Sequence, residues 1–413
     1  LLGGADERDH WYRAYQVSEG VVLAQRDDDR VGGTLPQSAQ AMRDDGPATS
    51  AGLVADSAAP DARVFVDFRK TAAFAPLAYL PQAAAIAVGQ RLGLPAPALG
   101  YAARLAGLAS ALGLVFCAIR LAPIGKRVFL LLALTPMAIR QMSLLSADTV
   151  TNAAALLLLA LCLRLAQRPG APATRAQMAQ ILACSVLVSL AKIAYLPFAG
   201  LALLCSAARL GGARRRAAFA LGIVGVNVLL VGGWLWLARD GYVAQPIAPD
   251  ADPSRQLAFI LGAPLHYATM LLANLLQRGA AYLYTGTGYT RDFPSGTIWL
   301  HLGLVAAMAA LDGRADWSID RCGRWILAGV ITSTWALVMT LNYLGWNAVG
   351  AGTIHFVQGR YFLPLLPPMF LLLSNRRLAG VLCERQLTFV AACGGALFAA
   401  LAMRHQVLLW YGG

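Results

Sequence analysis

The opening stretch "ADERDH" sets Asp6, Glu7, Asp9 and His10 side by side, with Arg13 one turn further on. Paired carboxylates beside an imidazole can supply a general base and a metal ligand. A solvated charge run is the ordinary alternative. On a helix, Asp6, Asp9, His10 and Arg13 share a face through three- and four-residue spacings. Asp148, in "SADT", is the only acidic residue between Lys70 and Asp240. With Ser146 and Thr149 it reads either as a helix N-cap or as a carboxylate that holds a metal ion, or a phosphate through that ion. Lys192 is one of only three lysines and stands between two apolar runs. It either snorkels from a helix end or meets a phosphate as a compact point charge. Gln358, Gly359, Arg360 and Tyr361 form a donor-rich group just before another apolar run. Arg360 either anchors at the interface or grips an anion, with Gly359 letting a ligand approach the backbone. Arg140 poses a lesser version of the same question.

The elements that must position these residues are apolar. The chain has 413 residues, 58% hydrophobic and 13% charged, with mean hydropathy +0.57. A soluble chain carries about a quarter charged residues, and several runs here approach the roughly 20 residues that cross a hydrocarbon core. The composition predicts an all-α polytopic membrane protein with about ten transmembrane helices. The apolar segments fall at 98–121, 127–143, 148–166, 178–191, 193–208, 217–238, 298–311, 325–343, 358–374 and 387–404. A shorter one, 76–93, contains Pro81 and is read as partly inserted or interfacial.

Charge supports that choice. Basic clusters at Lys126–Arg127, Arg164/Arg168/Arg175, Arg209/Arg214/Arg215/Arg216, Arg314/Arg321/Arg324 and Arg376/Arg377/Arg385 then fall on one side, as the positive-inside rule requires. The opening carboxylates, Asp148, Lys192 and Arg360 converge on the other. Residues 1–75 are expected to form an extracytoplasmic loop region, and 76–413 a transmembrane domain with a long outer loop at 239–297. Within 1–75, "DERDHWYRAYQVSEG" predicts an amphipathic helix resting on the bilayer, with Trp11 and Tyr15 toward one side. The outer loop carries a helical stretch interrupted by Pro264, expected to be interfacial beside Asp250, Asp252, Arg291 and Asp292. The start, "LLGGADERDH", reads like the tail of an apolar segment, so a further transmembrane helix is expected before it.

The net charge of +13 lies in short clusters between apolar runs, which reads as topology rather than nucleic-acid binding. The seven cysteines show no CxxC or zinc-ligand spacing, which argues against a disulfide framework or structural metal. Without HExxH, GxSxG, P-loop or GxGxxG patterns, zinc proteases, serine hydrolases and nucleotide-driven pumps lose support. No internal repeat is visible, which weighs against inverted-repeat transporters.

The blocks "DERDHWYRAYQVSEG", "VGGTLPQS", "LAYLPQAAAIAVG", "LTPMAIRQMSLLSADTVTNA", "LAKIAYLPF" and "VQGRYFLPLLP" resemble, in order and spacing, the signatures of a bacterial membrane-protein family known as domain of unknown function 2142. That family is similar to the C-type (GT-C) glycosyltransferases, polytopic enzymes that use polyprenyl-phosphate-linked sugars on the extracytoplasmic face. The resemblance implies a GT-C-like fold in the bacterial inner membrane, a polyprenyl-phosphate-sugar donor, and a glycan or lipid acceptor of the cell envelope. It implies that Asp6 and Glu7 are catalytic and that Asp148 is a second acidic position. Lys192 and Arg360 would meet the lipid phosphate or sugar, with His10, Arg13, Gln358 and Tyr361 lining the substrate site. A divalent cation, Mg or Mn, would rest on Asp6 and Asp148. The competing expectations are a flippase for polyprenyl-linked glycans and a non-catalytic envelope-polysaccharide assembly protein.

Overall fold

The computed structural model describes residues 6–40, 62–167, 170–241, 250–287, 295–314 and 316–411. Arg168, Arg291 and Asp292, named above, lie outside these. The first helix, α1 (Glu7–Ser18), begins after Asp6, whose φ of 61° places it in the left-handed region. Glu7 and Asp9 in its first turn suit the positive end of the helix dipole. Three antiparallel strands follow, β1 (Gln25–Asp27), β2 (Arg30–Pro36) and β3 (Arg63–Asp67), in the order β1-β2-β3. A Cβ on Gly32 would lie 1.8 Å from the Val66 carbonyl oxygen, so only glycine lets β3 come this close.

The expectation of a surface helix and an all-α chain is corrected here. α1 is enclosed, with Trp11, Tyr15, Val31, Leu35, Val66 and Phe68 forming one core, and the indole of Trp11 donates to the Ala39 carbonyl at 3.0 Å. The aromatic side of α1 has a sheet to bury against, so it does not need the bilayer. That core continues through Tyr79 and Ile86 into Leu99, Ala103 and Leu145, and so joins the membrane helices. The helix α2 (Leu80–Arg91) has 12 residues, about 18 Å of length, too short for a core of about 30 Å.

Proline decides how much of the remaining apolar sequence is long helix. α3 (Ala96–Leu121) runs unbroken for 26 residues. The segment expected over 127–143 is instead two short helices, α4 (Lys126–Ala133) and α5 (Pro136–Ser143), because Pro136 cannot continue the first. α6 (Ala147–Ala166) and α7 (Arg175–Ala191) follow. Ile193–Leu204 around Pro197 is a 3₁₀ helix, as is Gly359–Leu365 around Pro364. Beyond α7 lie α8 (Ala213–Leu237), α9 (Pro253–Gly262), α10 (Pro264–Thr287), α11 (Ser295–Leu311), α12 (Arg321–Trp346), α13 (Leu366–Leu371) and α14 (Glu384–Tyr411).

Among the described residues five helices are long and apolar enough to cross a membrane: α3, α6, α8, α12 and α14 over 384–405. A sixth arises if α9 and α10, bent by 103° at Pro264, form one broken span. The expected ten segments are therefore present as apolar stretches, but fewer are long helices. Irregular backbone at membrane depth requires protein around it. The 3₁₀ stretch 193–204 meets that demand, with Tyr195, Phe198, Leu201 and Ala202 buried in the main core.

α6 is the axis of this arrangement. Its apolar window is 78% buried, against 22–28% for the other four spans, so protein rather than lipid surrounds it. The basic clusters gather at its far end. Arg209 donates to the Arg164 carbonyl, the Ser206 amide donates to Leu165 at 2.9 Å, and Arg324 reaches the Ser374 carbonyl at 2.6 Å. Arg127 pairs with Asp312 at 2.7 Å. Asp148 lies at the opposite end.

Candidate functional site

Ser146 ends the α5–α6 turn in extended conformation, and its hydroxyl accepts from the Asp148 amide at 3.1 Å. The cap is thus Ser146, and Asp148 in the first turn has its carboxylate available for other partners. It is buried, and Lys192 Nζ stands 2.5 Å from Oδ1. Lys192 is presented by the turn where α7 stops and the 3₁₀ helix begins. Arg360 Nε lies 4.0 Å from Asp148 Oδ2, while its Nη2 reaches Asp6 Oδ2 at 3.2 Å. Asp6 also accepts from Lys70 Nζ at 3.1 Å, and Asp9 lies 3.9 Å from the same ammonium. The chain of charges therefore runs Asp9, Lys70, Asp6, Arg360, Asp148, Lys192.

His10 sits behind this row. Its Nδ1 is 2.6 Å from the Tyr79 hydroxyl and its Nε2 is 3.5 Å from Ser146 Oγ. Burial holds the imidazole down at about 4, against the pull of Asp148, so it is neutral at pH 7. Burial pushes the Asp9 carboxyl up to about 6, with Lys70 opposing. For Asp6 burial acts in the same upward sense, but the Lys70 ammonium and Arg360 guanidinium outweigh it and hold the carboxyl below the usual range.

Two of the expected residues are engaged elsewhere. Glu7 receives both arms of Arg104, each at 2.7 Å, and the Leu145 amide at 2.8 Å. This is a bidentate clamp between α1, α3 and the start of α6. Arg13 is fully buried and donates to the Phe74 and Val22 carbonyls and to Gln16. The shared face predicted for Asp6, Asp9, His10 and Arg13 breaks there, because Asp6 precedes the helix and Arg13 lies a turn deeper. Tyr361 places its ring 4.8 Å from Lys192 Nζ, a cation–π contact. Gln358 is exposed, and its carbonyl accepts from the Tyr361 amide at 3.1 Å. Lys70 went unnoticed in the sequence, although the scarcity of lysine that singled out Lys192 applied to it equally.

The donors do not fit a divalent cation between Asp6 and Asp148. The guanidinium of Arg360 already lies between the two carboxylates, and among the described residues no three His, Cys, Asp or Glu side chains come together as a metal-ligand set. What the arrangement offers is a row of fixed cations with carboxylates among them, which suits an anionic group bearing a reactive hydroxyl nearby.

No curated protein and no solved structure matches the chain. A family model described as "Predicted membrane protein (DUF2142)" matches residues 2–369, which takes in every residue of this charged row. The chain therefore belongs to the DUF2142 family of membrane proteins.

Proposed function

We propose that the protein is a GT-C-like glycosyltransferase that moves a sugar from a polyprenyl-phosphate donor to a glycan or lipid acceptor of the cell envelope. The observation that carries this reading is the meeting of Asp6, Asp148, Lys192 and Arg360 at one end of the central helix. The opposite end holds the arginine clusters, and the positive-inside rule assigns that end to the cytosol. The charged row then faces away from the cytosol in the bacterial inner membrane. In this reading 1–75 is the extracytoplasmic region and 76–413 the transmembrane domain, with its long outer loop at 239–297.

In this reading Lys192 and Arg360 neutralise the phosphate as it leaves, stabilising charge where it develops. The bond between the sugar's anomeric carbon and the phosphate oxygen breaks with its electron pair on the phosphate. The acceptor oxygen bonds to that carbon, and its proton passes to Asp9, whose raised affinity for protons suits a base working near neutral pH. Asp6 holds Arg360 and Lys70 in place, and Asp148 positions Lys192. Glu7 does not take the proton here, because Arg104 and the Leu145 amide occupy its oxygens.

Proteoliposomes supplied with a radiolabelled prenyl-phosphate sugar and an envelope extract test the proposal. A new glycosidic product supports it. Label crossing the bilayer without product would instead make the protein a carrier, and neither result would leave an assembly role.

A further inference from the structure

One turn along α6 from Asp148 the helix lines a cavity of about 50 Å³. It is lined by Val115 of α3, the α4–α5 break, Met142, the face of α6 bearing Asn152 and Leu156, and the proline-rich turn at Leu363 and Pro367. Asn152 is its sole polar side chain. Both amide atoms of Asn152 are buried and have no hydrogen-bond partner. A buried amide left unpaired is costly and rare, so a satisfied partner is expected to occupy the space. The cavity is also in register with the site. Asn152 lies one turn below Asp148 on α6, and Leu363 lies one turn beyond Arg360. Following α6 downward, a cation pair gives way to an amide after about 6 Å and to hydrocarbon after about 12 Å.

That order of charge, hydrogen bond and apolar wall matches the polarity of one kind of molecule. We propose that this cavity receives the phosphate-proximal carbons of a lipid phosphate. The phosphate lies against Lys192 and Arg360, and the ester oxygen meets the Asn152 amide. The proposal rests on the lipid-phosphate donor of the preceding section and adds where its chain enters. The volume accommodates a few waters rather than a whole isoprene unit, so entry needs a wall to move. Met142 is that wall: it lines the space, is 9% exposed, and methionine repacks easily. The pocket lies between α3, α5 and α6, so the chain passes beside the central helix.

Binding measured on the full chain in nanodiscs, with farnesyl phosphate, inorganic phosphate and farnesol as probes, tests this. The wild type should bind farnesyl phosphate at least tenfold more tightly than either other probe. Ala153→Leu fills the cavity and should weaken farnesyl phosphate at least tenfold while leaving inorganic phosphate unchanged. Met142→Ala enlarges the cavity and should strengthen farnesyl phosphate alone, which keeps the test open if the first variant fails to fold. Equal binding of the three probes, or variants that shift farnesyl phosphate and phosphate together, would overturn the proposal. Chain-dependent binding without sugar transfer would keep the pocket and remove the transferase. Transfer with donor affinity untouched by Ala153→Leu would do the reverse.

Discussion

Arg360 and Asp6, separated by 354 positions in the chain, meet at 3.2 Å. The same guanidinium approaches Asp148 at 4.0 Å. Through these two contacts the N-terminal α/β unit and the proline-rich segment close over the end of α6. Glu7 and Arg104 fasten the unit from the other side. The charged row is therefore built at a junction of three distant parts of the chain, and each part depends on the others to satisfy a buried charge.

The clamp makes a prediction about stability. Glu7 is 1% exposed, and Arg104→Met removes the guanidinium that holds its buried carboxylate. Removing one partner of such a pair costs about 3–5 kcal/mol. The double variant Glu7→Gln/Arg104→Met should recover much of that loss. Denaturant unfolding in detergent, followed by tryptophan fluorescence, reads both values.

A second pair separates binding from folding. Lys192→Met leaves the buried Asp148 carboxylate only the more distant Arg360, so it should lower stability, by less than the ~3–5 kcal/mol of a fully stranded buried charge. Adding Asp148→Asn should restore stability but not the affinity for inorganic phosphate, because the cation is gone. Phosphate titration of the refolded double variant at low salt checks this.

The site's pH dependence follows from Asp9. Its folded-state value of about 6 lies above the ordinary 3.8, so the base form accumulates as pH rises through about 6. Transfer should fall about tenfold for each pH unit below that point. Stability runs the opposite way, since ionising a buried carboxyl is unfavourable: it declines between pH 3.8 and about 6. Asp9→Asn should abolish transfer and remove that decline. A pH–rate profile beside a pH–stability profile reads the two limbs.

His10 acts in the other direction. Its imidazole is held near 4 against an ordinary 6.5, so the unfolded chain binds the proton first as pH falls. The stability difference between wild type and His10→Asn should grow by about 3 kcal/mol from pH 4 to 6.5. Asp9 is common to both proteins and cancels. A flat difference would mean that the ring is hydrated rather than enclosed by Tyr79 and Ser146.

Much of this arrangement was legible in the sequence, and the failures have physical causes. Asp148, Lys192 and Arg360 stood out because an ionisable group among apolar residues needs a partner, and the structure places all three side by side. Glu7 and Asp9 could not be told apart from spacing, since their difference comes from Arg104, 97 positions away. The sheet was hidden because its strands are short and its middle one, "RVGGTLP", is interrupted by two glycines and ends in proline. Ten apolar segments yield only five long helices among the described residues, because hydropathy registers apolar residues but not the breaks that Pro136, Pro197 and Pro364 impose.

Sugar transfer by right-side-out proteoliposomes, compared between the wild type and Asp9→Asn at pH 7.5, tests the central claim most directly. The account predicts labelled glycosidic product from the wild type and none from the variant, with lipid-phosphate binding equal in both. Equal product from the two proteins, or none from a folded wild type that binds the donor, would contradict it.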